Sequence, residues 1–70
     1  MRLSTRNQLA GTVTEVTVGA VMATVKVRLD GGDQIVTASI TREAVEELGL
    51  AVGTPTTVLV KSTEVMLAVD

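Results

Sequence analysis

Hydrophobic and polar residues alternate most cleanly between positions 21 and 29. Val21, Ala23, Val25, Val27 and Leu29 fall on one parity, and Met22, Thr24, Lys26 and Arg28 on the other. A period of two predicts a half-buried β-strand. The run LAGTVTEVTV at positions 9–18 is less regular. Leu9, Gly11 and Val13 share one face, whereas Val16 and Val18 have the opposite parity. One strand keeps both sets inward only through a phase shift, so a bulge or strong bend is expected near Thr14 and Glu15. Gly11 suits the tight coiling of a small barrel. Gly19 and Ala20 form the first connection. Asp30-Gly31-Gly32-Asp33 reads as a hairpin turn with two solvated carboxylates; a calcium loop requires more oxygen ligands at regular spacing.

Residues 34–41 predict a third strand, with Val36, Ala38 and Ile40 on one face. Thr41 then reads as the N-cap of a two-turn helix over residues 42–48. Val45 and Leu48 share a helical face, and Glu43, Glu46 and Glu47 remain solvated. Gly49 fits the position after the helix, with Leu50 folding back on its last turn. Residues 52–55 make a turn, and TTVLVK at 56–61 a fourth strand. Ser62-Thr63-Glu64 reads as one helical turn capped by Ser62. Residues 65–69 read as a fifth strand, with Val65, Leu67 and Val69 on one face. Five short strands with one helix between the third and fourth predict an all-β protein, a small, partly open OB-like barrel, with residues 1–70 as one domain.

Composition narrows the ways such a barrel is stabilised. The chain has 70 residues and no Cys, His, Phe, Tyr or Trp, while 46% of it is hydrophobic. So small a chain buries limited surface, and it has neither disulfides nor aromatic anchors. Oligomerisation is the expected source of further burial. A net charge of −2 and the lack of aromatic stacking platforms argue against nucleic acid as a partner. No apolar run reaches membrane-spanning length. Met1-Arg2-Leu3 is not followed by the apolar stretch of a signal peptide, so a cytoplasmic protein is expected. An enzyme is poorly supported, because the usual bases and nucleophiles are missing and no Ser is paired with an evident base.

Two polar clusters carry the candidate chemistry. Ser4-Thr5-Arg6-Asn7-Gln8 precedes the first strand, and Lys61-Ser62-Thr63 follows the fourth. Each holds one fixed cation beside hydroxyl donors, and only Glu64 adds a carboxylate nearby. Arg and Lys supply charge, while Ser, Thr and main-chain N–H groups supply direction. A site drawing on both clusters suits a small oxyanion. Taken alone, the first cluster also reads as a polar lead-in to a strand.

Four segments in order resemble the molbindin (Mop) family of TOBE-class molybdate-binding domains. Ser4-Thr5-Arg6-Asn7-Gln8-Leu9-Ala10-Gly11 is similar to its opening S-A-R-N-x-L-x-G. Gly19-Ala20-Val21, followed by Ala23-Thr24-Val25, resembles its second motif. Residues 40–50 resemble its helix segment, and Lys61-Ser62-Thr63-Glu64-Val65-Met66-Leu67-Ala68 its closing motif. The resemblance implies strand exchange between subunits, a hexamer built as a trimer of dimers, and cytoplasmic storage or buffering of molybdate or tungstate. It also implies one oxyanion site between subunits, at Ser4, Thr5, Arg6, Lys61 and Ser62. A second site would use main-chain donors at Gly19, Ala20 and Val21. Thr5 stands where Ala is common in the family and adds a hydroxyl; Met22 stands where Asn is frequent and removes a polar side chain. The alternative from another class is an oligomeric β-barrel interaction module without a ligand.

Overall fold

The computed structural model describes residues 2–70. Three long strands follow one another: β1 (Asn7–Val18), β2 (Met22–Leu29) and β3 (Ile35–Thr41). Helix α1 (Arg42–Leu48) leads to β4 (Pro55–Val60), and a 3-10 turn spans Ser62–Glu64. All pairings are antiparallel, in the order β3-β2-β1-β4.

The expected phase shift lies where the side-chain parity changes. Val13 opposes Val27, but Glu15 opposes Lys26, so Thr14 is the extra residue of a bulge. Its hydroxyl donates to the Lys26 carbonyl oxygen at 3.3 Å. The shift turns Val16 toward the core that Val13 already faces. Gly11 lies before the bulge, and a Cβ there would stand 2.6 Å from the main-chain oxygen of Arg28 and 2.7 Å from Cγ1 of Val27. Curling of β1 over β2 brings the backbones this close, and only glycine fits.

The core is small and aliphatic. Val13, Ala23, Val25, Val27 and Val45 are buried, with Val16, Ala38, Ile40, Leu50 and Val58 packed against them. Val45 arrives on α1, whose ends are both satisfied. Thr41 Oγ1 accepts from the Ala44 N–H at 3.1 Å. At the other end Gly49 adopts φ 65° and ψ 35°, a left-handed conformation that favours glycine. Its N–H and that of Leu50 donate to the carbonyls of Glu46 and Val45 at 3.2 and 3.1 Å. Leu50 thereby folds back against the core.

Three expectations change. Residues 65–69, expected to supply a fifth strand, join no ladder within the chain, and the sheet has four strands. Met66, Leu67 and Val69 are 91%, 93% and 97% exposed. Leu48, expected inward with Val45, is 67% exposed. For Leu48 the reason is an open seam. The two edge strands, β3 and β4, do not pair, and the seam between them is an apolar cleft of about 240 Å³ that Leu48, Leu50, Ile40 and Val58 help to line. Finally, Ser62 does not cap the 3-10 turn; Lys61 occupies the cap position without a side-chain bond.

Candidate functional site

Antiparallel pairing of β1 with β4 decides where the two polar clusters go. The register runs from Thr12 opposite Pro55 to Asn7 opposite Val60. The residues just before β1 therefore meet those just after β4. Ser4, Thr5, Arg6, Lys61, Ser62 and Thr63 line one pocket of about 320 Å³. All five residues assigned to the first oxyanion site are among them. Thr63 is the addition, and its place beside Ser62 in the same cluster was the available signal. The two clusters of one chain meet here because the β1–β4 ladder ends between them.

Local bonds hold both rims. Asn7 Nδ2 donates to the Val60 carbonyl oxygen at 3.0 Å, and Gln8 Nε2 to that of Thr5 at 2.8 Å. After Lys61 the chain tightens into the 3-10 turn, closed by the Glu64 N–H on the Lys61 carbonyl at 2.8 Å. Thr5 is half-buried, while Ser4, Arg6, Lys61 and Ser62 are exposed. Among the described residues the one ion pair joins Arg42 to Glu46, so neither Arg6 nor Lys61 is engaged by a carboxylate. The pocket thus offers a guanidinium, an ammonium and several hydroxyl groups, and no carboxylate lines it. Such a lining attracts an anion and orients it through charge-assisted hydrogen bonds.

The second predicted site is only partly assembled. Ala20 and Val21 line a pocket of about 440 Å³ with Thr41, Arg42, Glu43 and Glu46. Gly19 does not line it. Its N–H instead donates to the Met22 carbonyl at 2.8 Å and closes the β1–β2 turn. The Val21 carbonyl accepts from the Arg42 N–H at 2.8 Å, which ties this turn to the start of α1. Arg42 is the cation there, but its Nε is 3.1 Å from Glu46 Oε1. Two carboxylates against one paired guanidinium leave this lining net negative.

Among the described residues no group of three or more Asp and Glu side chains could hold a metal ion, and no helix is long and apolar enough to cross a membrane.

Residues 3–67 match the family of TOBE domains. The chain is 45% identical over 67 residues to molybdenum-pterin-binding protein 3 of Clostridium pasteurianum, covering 96% of this chain and 97% of that protein. It is also similar to the solved structure of a molybdate-binding protein from Sporomusa ovata. There the TM-score is 0.90 and the identity 37%, over 97% of this chain and 98% of the other. The cytoplasmic molybdate-binding protein ModG, solved with molybdate bound, is similar at 45% identity and a TM-score of 0.82, with 89% of this chain matching 43% of that one.

Proposed function

The chain belongs to the TOBE-domain family and, within it, to the molbindin (Mop) group, and from that premise we propose that it binds molybdate in the pocket between Arg6 and Lys61. The observation that carries this reading is the convergence of two cationic, hydroxyl-bearing clusters on one carboxylate-free pocket. Molybdate is a tetrahedral dianion whose oxygens only accept hydrogen bonds at neutral pH. Arg6 and Lys61 offset its charge, and Ser4, Thr5 and Ser62 orient it. The pocket beside Ala20 and Val21 is the weaker site, since Glu43 and Glu46 repel a dianion.

The protein acts as a binder rather than an enzyme, buffering molybdate in the cytoplasm and accepting tungstate, whose shape and charge are the same. Assembly completes it. Most of the first pocket's lining is exposed, and water weakens each interaction there. A second copy covering the pocket strengthens them and links ligand occupancy to assembly. The open β3–β4 seam and the exposed apolar residues 65–69 support strand exchange, in which that segment of one copy becomes the fifth strand of another. A trimer of such dimers gives the hexamer.

Equilibrium dialysis against molybdate and sulfate at matched ionic strength tests the function. Both anions are tetrahedral and doubly charged, so charge cannot separate them; the longer metal–oxygen bonds of molybdate must. The expected result is retention of molybdate with little retention of sulfate. Equal retention means a generic anion patch, and no retention of either leaves the interaction module without a ligand.

A further inference from the structure

We propose that Asn7 and Gln8 are positioning residues of the oxyanion pocket, whose side-chain amides fasten its two walls to the start of β1. The inference rests on the pocket being the molybdate site. Consecutive residues of an extended strand send their side chains to opposite faces. Gln8 nevertheless ends on the main-chain carbonyl of a residue that lines the pocket, and Asn7 on that of the residue just before one. Asn7 Nδ2 reaches the oxygen of Val60, the residue before Lys61, at 3.0 Å. Gln8 Nε2 reaches the oxygen of Thr5, between Ser4 and Arg6, at 2.8 Å.

The β1–β4 ladder stops at the pair Asn7 and Val60. Beyond that pair the ladder no longer sets the separation of Arg6 from Lys61, and the two amides hold the chain just there. Neither amide lines the pocket, and both are neutral. They therefore act on the spacing of the donors and add nothing to the attraction. Spacing is what a site needs in order to separate two dianions of equal charge and unequal size. Loss of an amide accordingly reduces discrimination, whereas loss of a cation reduces affinity for both anions.

The variants Asn7→Leu and Gln8→Met remove each donor while keeping side-chain size and neutrality. The full chain is dialysed against molybdate, and sulfate affinity is measured by competition at the same ionic strength, with the melting temperature of the ligand-free protein alongside. If the wild-type chain binds no molybdate, the reading of the pocket itself has failed. If it binds, each variant is expected to lose roughly five- to tenfold in molybdate affinity, the scale of one neutral hydrogen bond, with a smaller change for sulfate. The molybdate-to-sulfate ratio then narrows. An equal loss for both anions, or an unchanged ratio with a lower melting temperature, overturns the proposal and makes the amides purely structural. Should Asn7→Leu fail to fold, Gln8→Met, whose side chain is exposed, decides by the same ratio.

Discussion

Lys61 and Lys26 carry the same charge but differ in what surrounds them. Lys61 shares its pocket with Arg6 and four hydroxyl side chains, those of Ser4, Thr5, Ser62 and Thr63. Lys26 lies on β2 between Val25 and Val27, which are buried, so its own side chain points away from the core. Removing Lys61 leaves a bound dianion without one charge-assisted hydrogen bond, a loss of roughly 1.5–3 kcal/mol. Lys61→Ala should therefore bind molybdate about tenfold to a hundredfold more weakly by isothermal titration, and Lys26→Ala should match wild type. The reverse order of the two variants would put the site elsewhere. At this scale much of the pocket was legible in the sequence, because both clusters show cations beside hydroxyls and almost no acid. The bonds of Asn7 and Gln8 to backbone were not legible, since an amide's partner depends on register. Nor was the use of the Gly19 N–H inside its own turn, since the sequence shows a glycine and not where its donor points.

Among the elements, β1 depends on Gly11 and α1 on its two caps. In Gly11→Ala the new methyl meets the Arg28 carbonyl oxygen, a backbone atom that cannot swing away. Overpacking of this kind costs about 1–3 kcal/mol, so urea denaturation should show a lower midpoint with an unchanged slope. An unchanged midpoint would mean that β1 and β2 separate easily at the bulge. Thr41→Ala removes the hydroxyl that accepts from Ala44, for a loss of about 1 kcal/mol, read in the same experiment. The bulge and both helix ends were legible because parity and capping residues are local signals. The place of the fifth strand was not legible, for the opposite reason: residues 65–69 pair with nothing in their own chain. Val65, Leu67 and Val69 alternate as a strand does, but periodicity specifies a face to be covered and not the chain that covers it.

For the whole molecule, the exposed apolar residues 65–69 and the open β3–β4 seam make the isolated chain a poor end state. Sedimentation equilibrium at micromolar concentration should find an oligomer, with the hexamer as the expected mass. A variant ending at residue 64 should lose that mass, and a folded monomer of the full chain would contradict the role given to this segment. Anomalous diffraction at the molybdenum absorption edge, from crystals grown with molybdate, locates the anion itself. A strong anomalous peak is expected in the pocket between the Arg6 guanidinium and the Lys61 ammonium. A peak confined to the pocket of Ala20, Val21 and Arg42, with none beside Lys61, would contradict that position.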